Sequence, residues 1–300
     1  MKKALLQMHL AVLLWGFTGV LGRAISLSAP VLVWYRMLFT AVFMAGILTY
    51  RKQWVPVTRK DMWRLATVGC LMGLHWVAFY GAIKYANASI ALICLSTSSV
   101  FTSLLDPLVN KGKHVLAEFA LGVLALAGVF IIYQFQQFYA LGILFGVIAA
   151  LLSAVFTVLN KRIAHSYPAR TMVFYEMTTG WVLITLLMPL QFMYDPKTVA
   201  LPQEWDWLWM VVLALCCTVW AQSLAINALK QLSSFTLALS VNLEPVYGII
   251  LAFIFYAENQ QLHSGFFLGM GLIMLSVLLQ MIRLLRPASP GYIEDKGGID

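Results

Sequence analysis

Four charged side chains lie inside apolar stretches of this 300-residue chain, where solubility cannot explain them. They are Arg36, Asp106, Glu176 and Glu244. A charge inside a membrane span costs roughly 2.5–3.5 kcal/mol on insertion scales, so such a residue is expected to face a cavity or a partner. An arginine can bind a carboxylate through its planar fork of N–H donors, and a buried carboxyl can bind an ammonium group or a proton. These residues are therefore the first candidates for binding a solute.

Glu244 is the strongest of these candidates because it lies near the middle of its apolar stretch, where a side chain reaches the membrane surface least easily. Pro245 follows it, and a proline within a helix removes one backbone donor and frees a carbonyl one turn earlier. The sequence thus predicts a kink with polar backbone beside an acid, suited to a substrate ammonium or a proton. Asn242 adds an amide two residues before Glu244. A protonated Glu244 that only bonds a neighbouring helix is the alternative.

Arg36 and Glu176 carry opposite charges at different predicted depths. At 1.5 Å per helical residue they differ in depth by roughly 10 Å, so a direct salt bridge is not expected. The functional interpretation is a carboxylate-binding Arg36 and a Glu176 that gates transport or carries a proton. The alternative, two side chains that bond backbone carbonyls near helix ends, stays open. Asp106 lies near the end of its span and is interpreted as structural.

Several uncharged residues share the predicted depth of Glu244. His75 is a candidate proton carrier because free imidazole titrates near neutral pH, with a packed neutral histidine as the alternative. Gln222 and the hydroxyl residues Ser96 and Ser99 are candidates to line a cavity, although serine commonly bonds its own helix backbone. The aromatic candidates are Trp15, Trp76, Tyr80 and Trp220. As a group they predict a site for a bulky apolar or aromatic substrate, while each alone is more often packing.

The elements that must position these residues are membrane-spanning helices. Apolar residues make up 61% of the chain and charged residues 11%, against about a quarter charged in ordinary soluble domains. A helix needs about 20 mostly apolar residues to cross a bilayer. We therefore predict an all-α integral membrane protein with ten spans, at 4–25, 29–50, 62–84, 88–110, 116–133, 138–160, 171–194, 207–229, 234–256 and 263–285.

The net charge of +8 follows this predicted topology. With the N-terminus inside, the loop lysines and arginines fall on the inner side except Arg23, Lys84 and Lys197, as the positive-inside rule requires. Both termini are therefore predicted to be cytoplasmic, with residues 287–300 a mobile tail. No nucleic-acid partner is expected, because the basic residues are not clustered on one water-exposed face.

The chain contains a weak internal repeat. A shift of 146 residues places Cys70 on Cys216, Lys84 on Lys230 and Ser99 on Pro245. The predicted halves, residues 1–137 and 138–286, hold five spans each. Because five is odd, the second half enters from the opposite side, which is the inverted-repeat plan of secondary transporters with a midplane site between the halves. The first half is expected to be less kinked, since Ser99 stands where the second half has proline.

Short motifs occur in a fixed order on these spans. They are Leu14-Trp15-Gly16, Pro30 followed by Arg36, the run from Tyr80 to Ser89, and Asn242-Leu243-Glu244-Pro245-Val246 followed by Glu258. Together they resemble the ten-helix EamA family of the drug/metabolite transporter superfamily over residues 4–285. The sequence departs from the family pattern at Ser99, where a proline is expected, and at Lys111-Gly112-Lys113, where an acid is expected. The resemblance implies export of amino acids or other small metabolites, sometimes drugs.

The leading hypothesis is thus a secondary transporter of the bacterial inner membrane, working by alternating access. The alternatives are a membrane-embedded enzyme and a channel. An enzyme would need a reactive motif such as HExxH or GxSxG, neither of which occurs, and a channel would need a polar stripe or a filter repeat. The chain has no Walker motif, and no cofactor or metal is expected. The substrate, the direction, a role for protons and the oligomeric state are left open.

Overall fold

The regular structure is helical throughout the part of the chain that the computed structural model describes, which is residues 2–110, 115–135, 139–194, 201–241, 243–257 and 262–285. The first-half helices are α1 (Lys2–Ala24), α2 (Ala29–Tyr50), α3 (Arg59–Tyr85), α4 (Ala88–Leu95), α5 (Ser98–Asn110) and α6 (Leu116–Phe135). The second-half helices are α7 (Ala140–Ile163), α8 (Ala169–Tyr194), α9 (Asp206–Ala214), α10 (Ala221–Leu229), α11 (Ser234–Val241), α12 (Glu244–Tyr256) and α13 (Ser264–Leu285). A π-helical segment, Leu215–Trp220, joins α9 to α10.

Seven segments of the described chain are long and apolar enough to cross a membrane, and α4 with α5 and α9 with α10 each count as one of them. Shorter apolar helices occur at Phe119–Ile132, Val246–Tyr256 and Ser264–Ser276. The prediction of a multi-pass helical membrane protein is therefore confirmed. The count of ten spans and the cytoplasmic placement of both termini stay predictions.

The fourth and ninth predicted spans are each broken into a short and a longer helix. The pair α4 and α5 has 8 and 13 residues, and the pair α11 and α12 has the same two lengths at bounds shifted by 146 residues. The fourth span is therefore broken although Ser99 stands where the second half has proline. At the break between α4 and α5, the hydroxyls of Ser96 and Thr97 donate to the carbonyls of Ile93 and Cys94, and these local bonds replace helical ones without a proline.

Pro245 plays a different part from the one that the sequence predicted. It stands in the first turn of α12, immediately after Glu244, where the missing N–H of proline has no helical partner to lose. The proline thus starts a new helix at an existing break and does not kink a continuous one. Asn242, the other residue predicted to shape this break, lies outside the described residues.

The two halves of the chain are interleaved. Helix α3 packs against α7 and α8, α2 against α8, α6 against α13, and α1 against α10 and α12. At the α6–α13 contact, a Cβ atom on Gly128 would lie 2.6 Å from the carbonyl oxygen of Gly269, so the two backbones approach more closely than any side chain permits. Because each of these contacts joins a first-half helix to a second-half helix, a cavity at the centre is bounded by both halves.

Two short connections at the ends of the bundle are held by equivalent contacts. Between α1 and α2, the backbone N and hydroxyl of Ser26 donate to the Asp206 carboxylate at 2.9 and 2.5 Å, and Lys84 Nζ donates to the carbonyl of Ile25 at 2.6 Å. The connection between α7 and α8 is held in the same way by an acid and a lysine. There the Tyr167 hydroxyl donates to the carboxylate of Asp61 at 2.9 Å, and Lys230 Nζ donates to the carbonyl of Tyr167 at 3.0 Å.

Candidate functional site

A cavity at the centre of the bundle is lined by side chains from both halves. Its volume is about 70 Å³. The charged lining residues are Arg36 and Glu244. The polar ones are Thr18, His75, Ser153, Thr157, Asn160 and Gln222, and the aromatic ones are Trp15, Trp76, Phe79 and Phe156. Space on this scale fits one small molecule.

Glu244 reaches the cavity from the first turn of α12. Its side chain is 4% exposed, and Oε1 lies 3.4 Å from the hydroxyl of Thr18 on α1. The same hydroxyl donates to the carbonyl of Trp15 at 2.6 Å. A hydroxyl has one proton, and the shorter bond takes it. The carboxyl group of Glu244 is thus left with hydrogen-bonding capacity toward the cavity.

Arg36 is held in place by groups from both halves and is 2% exposed. Its Nε donates to the Thr218 hydroxyl at 2.9 Å, one terminal nitrogen to the Tyr80 hydroxyl at 2.8 Å, and the other to the Cys217 carbonyl at 3.3 Å. The guanidinium carbon lies 3.8 Å from the centre of the Trp76 ring. These contacts use three of the five N–H donors of the side chain, so two remain for a ligand.

The π-helical segment between α9 and α10 supplies two of these partners, Cys217 and Thr218. The Thr218 hydroxyl donates to the carbonyl of Leu213, five residues earlier, at 2.9 Å. In this wider turn the carbonyl of Cys217 accepts from Arg36. Such π-helical turns occur frequently at functional sites. The turn therefore fixes the arginine fork by contributing one hydroxyl and one carbonyl oxygen.

Arg36 and Glu244 share the cavity without pairing. Among the described residues, no carboxylate oxygen lies within 4.0 Å of the Arg36 guanidinium. A buried cation and a buried acid that leave each other free can instead bind a solute that carries both charges. Such a solute would present an anionic group to Arg36 and a cationic group to Glu244, with the aromatic side chains on its apolar part.

His75 lies in the cavity wall and is buried. Its Nδ1 lies 2.7 Å from the carbonyl oxygen of Ala149, so Nδ1 carries the proton and donates it. The ring stacks on Phe79 and meets Phe156 edge-on, with centroid distances of 6.3 and 5.4 Å. These contacts fix the ring in the wall and leave Nε2 as the second polar atom of the side chain.

Glu176 is separate from the cavity. It is fully buried, and neither carboxyl oxygen has a hydrogen-bond partner among the described residues. Asn160 lines the cavity, whereas Glu176 does not, and the Oδ1 atom of Asn160 also lacks a hydrogen bond within that part of the chain. Arg36 and Glu176 do not meet, as the predicted difference in depth requires.

The remaining predicted residues divide into two groups. Trp15, Trp76 and Gln222 line the cavity, and Tyr80 supports it through Arg36. Ser96, Ser99 and Trp220 are not brought to it. The Ser96 and Ser99 hydroxyls donate to the carbonyls of Ile93 and Ser96. Trp220 is 57% exposed because it lies about 200° from Gln222 around the helix axis, so both cannot face the centre. Asp106 accepts a hydrogen bond from Asn110 near the end of α5.

Sequence reasoning missed Thr18, Asn160 and Thr218. Each is a small polar residue in an apolar span, and such residues more often bond their own helix. The repeat carried a signal for Thr218, because it aligns with Met72, which lines the cavity. The contact that gives Thr218 its importance depends on Arg36 from the other half, and no spacing along the chain encodes it.

Comparison with known proteins places this architecture among transporters. The sequence profile of the EamA-like transporter family matches residues 2–134 and again residues 140–282. An uncharacterized transporter of Archaeoglobus fulgidus is 27% identical over 256 residues, which are 80% of this chain and 82% of that protein. The uncharacterized transporter YxxF of Bacillus subtilis is 23% identical over 288 residues, covering 93% and 90% of the two chains. A protein crystal structure with a TM-score of 0.70 at 17% identity covers 95% of this chain and 99% of its own, which shows the shared fold.

Proposed function

We propose a substrate and a mechanism for this chain, which belongs to the EamA-like transporter family. It carries an amino acid with an apolar or aromatic side chain across the inner membrane by alternating access. Membrane transport follows from the family and from the relatives named as transporters. The substrate class, the export direction and the use of protons are proposals. The observation that supports the substrate class is the presence of Arg36 and Glu244, unpaired with each other, in one buried cavity.

The two charges suit the two ends of a zwitterion. The free N–H donors of Arg36 bind the substrate carboxylate, a pairing in which the planar fork adds geometry to charge. The carboxylate of Glu244 binds the substrate ammonium. Trp15, Trp76 and Phe156 then contact the substrate side chain. An apolar side chain is favoured because the rest of the wall offers mainly carbon surface.

Alternating access would use the two connections that hold the ends of the bundle. Opening one side breaks the contacts of Ser26 and Ile25 with Asp206 and Lys84. Opening the other side breaks the contacts of Tyr167 with Asp61 and Lys230. Each set joins one connection to an aspartate and a lysine. If one set is intact while the other is broken, the cavity opens to one side only, and exchanging the two states moves the opening to the other side.

Glu244 is also the proposed site of proton exchange. In the substrate-free carrier, a carboxyl proton on Glu244 completes the hydrogen bond to Thr18, whose own proton is donated to Trp15. When a substrate ammonium arrives, the proton leaves and the carboxylate pairs with the ammonium. Substrate and proton then compete for one group, which couples their movements in opposite directions.

A binding series that varies one end of the ligand at a time tests this proposal. Thermal unfolding of the purified chain is measured with phenylalanine, with the amine that lacks its carboxylate, and with the acid that lacks its ammonium. A ligand that binds the native state raises the unfolding temperature by mass action. We expect phenylalanine or leucine to stabilise the chain and both truncated analogues to fail. Equal stabilisation by the amine or the acid would contradict the two-ended site.

A flux measurement separates a carrier from the alternatives. Proteoliposomes loaded with unlabelled amino acid should accelerate uptake of labelled amino acid, because a carrier returns faster when loaded. A channel would show no such acceleration. Substrate turnover to a new compound without net flux would instead support the enzyme alternative.

A further inference from the structure

A second cavity lies at the end of the bundle where α2 ends and α8 begins. Its volume is about 840 Å³. Three basic residues contribute to its wall, Lys52 after α2, Arg170 in the first turn of α8 and Lys230 after α10. This is the end that the positive-inside pattern predicts to be cytoplasmic. Neither the family assignment nor the proposed transport site gives this cavity a role.

This end cavity is separate from the transport cavity because the two use opposite faces of α10. Gln222, Ala225, Ile226 and Leu229 line the central cavity. Trp220, Ser223, Leu224 and Asn227 line the end cavity. At 100° per residue, the mean directions of these two sets differ by roughly 160°. The helix therefore stands between the cavities, and the end cavity lies on the outer side of the bundle.

The charge of the end cavity is positive and is left largely free. No carboxylate is among the described residues that line it. The Asp61 carboxylate accepts a hydrogen bond from Tyr167, a lining residue of the cavity. The negative charge of Asp61 is already paired with Arg64 at 2.9 Å. Arg170 donates to the Gln53 amide oxygen at 2.7 Å, and Lys230 donates to a backbone carbonyl, so both retain their charge and further donors. The site is complementary to an anion.

The wall of the end cavity also carries apolar side chains away from its basic residues. Trp220 is 57% exposed and lies ten residues before Lys230 in the sequence, which is about 15 Å along the helix axis. Leu224 lies between them in the sequence and also lines the cavity, with the polar Ser223 and Asn227 beside it. A distance of about 15 Å is half the hydrocarbon thickness of a bilayer. A basic end with apolar side chains at that distance fits a headgroup above an acyl chain.

We propose that the end cavity binds an anionic phospholipid, with its phosphate among Lys52, Arg170 and Lys230 and an acyl chain along Leu224 and Trp220. Basic pockets between membrane helices on the cytoplasmic side are the chemistry that recognises such headgroups. The exposed Trp220 ring gains a defined contact in this arrangement. The bound lipid would lie against the α7–α8 connection through Lys230 and Tyr167.

The test measures lipid binding to the purified full-length chain by native mass spectrometry. Phosphatidylglycerol and phosphatidylcholine with the same acyl chains are titrated in separate experiments. The test variant is the double substitution Lys52→Gln with Arg170→Gln. The matched control is Arg59→Gln with Lys60→Gln, which removes two exposed charges at the same end, outside the cavity. Each basic residue near a membrane surface contributes about 1 kcal/mol toward anionic lipid, so we expect the loss of two to weaken phosphatidylglycerol binding about 30-fold.

The outcomes separate a lipid site from its alternatives. The proposal is supported if phosphatidylglycerol binds in preference to phosphatidylcholine and only the cavity variant loses that preference. It is overturned if both double variants lose binding equally, since a diffuse surface field would then explain the attraction. Inorganic phosphate provides the third arm. If phosphate alone protects the chain from thermal unfolding as well as phosphatidylglycerol does, and Trp220→Ala leaves lipid binding unchanged, the occupant is a free anion and the lipid proposal is wrong.

Discussion

Ser98 and Glu244 occupy the same position in the two broken spans, each as the first residue of the longer helix. The backbone around them follows one plan, with identical helix lengths on both sides of each break. The side chains differ completely. The Ser98 hydroxyl is buried without a hydrogen-bond partner among the described residues, and Glu244 faces the cavity. The repeat thus specifies where a polar group is placed, and each half then specifies which group it is.

The eighth predicted span and its counterpart in the repeat, α3, differ in their backbone. Helix α3 is continuous from Arg59 to Tyr85 and contributes His75 and Trp76 to the cavity wall. The eighth span contains the π-helical segment, and that segment holds Arg36 from the first half. The cation therefore belongs to one half, and part of its support comes from the other. Neither half alone contains all the residues of the proposed site.

Substitution at the two break positions should give the largest difference between the halves. Glu244→Gln removes the carboxylate that binds the ammonium and the proton, and we expect amino-acid exchange in proteoliposomes to fall by about 100-fold or more. Ser98→Ala, the matched change in the first half, removes a hydroxyl that has no partner in the described structure and should leave exchange within about twofold. Comparable losses in both variants would contradict the assignment of the chemistry to the second half.

Arg36→Lys tests whether the fork geometry or the charge alone matters. Lysine keeps the positive charge but cannot reach Thr218, Tyr80 and the substrate carboxylate in one plane. We expect the dissociation constant for the amino acid to rise about tenfold, measured by isothermal titration in detergent. The response to the acid analogue that lacks an ammonium group should stay absent. Unchanged affinity would show that Arg36 acts only through its charge.

Thr218→Val tests the support that the second half gives to Arg36. Valine keeps the shape and removes the hydroxyl that accepts from Nε of Arg36. A hydrogen bond to a charged group contributes about 1.5 kcal/mol or more, so we expect binding to weaken about tenfold or more. Thr157→Val, another hydroxyl of the cavity wall with no recorded contact to Arg36, is the control. If the control weakens binding as much, the effect belongs to cavity polarity in general.

Glu176→Met should have the smallest effect on amino-acid binding of these substitutions, and it should make the folded chain more stable. The carboxyl group of Glu176 is buried without hydrogen bonds among the described residues, and an apolar side chain of similar length removes that unfavourable burial. We expect the unfolding temperature to rise by about 2 °C and the amino-acid dissociation constant to change by less than about twofold. A large loss of binding would instead place Glu176 in the site, in line with the gating or proton-carrying role that the sequence left open.

The helix positions were predictable from the sequence because each is set by local composition. The predicted spans and the helices share their outer bounds to within three residues, and Ala29–Tyr50 coincides with its prediction. The break after Leu95 was not predictable by searching for proline, because two hydroxyl side chains produce it. Chain composition records the number of such groups but not the backbone bonds that they replace.

The candidate site was predictable where a residue type is costly in a membrane, and less so elsewhere. Arg36 and Glu244 stand out because a charge must be compensated, and both line the cavity. Trp220 was predicted there on depth alone, although the repeat aligns it with Leu74, which is also exposed. The angle around the helix axis decides which residues of equal depth face the centre. Thr18 and Thr218 needed the folded structure, since their contacts join distant parts of the chain.

The alignment of Cys70 with Cys216 gives the chain its own pair of labelling sites. Both thiols are half-buried, whereas Cys94 and Cys217 are buried. Cys70 stands eleven positions after the start of α3, and Cys216 stands ten positions after the start of α9, in the π-helical segment. In an inverted repeat the two belong to opposite leaflets. A thiol-reactive reagent added during transport should therefore modify one cysteine more rapidly in one orientation of the carrier and the other cysteine more rapidly in the other orientation. The native sequence thus offers a way to time the exchange between the two orientations without introducing a foreign residue.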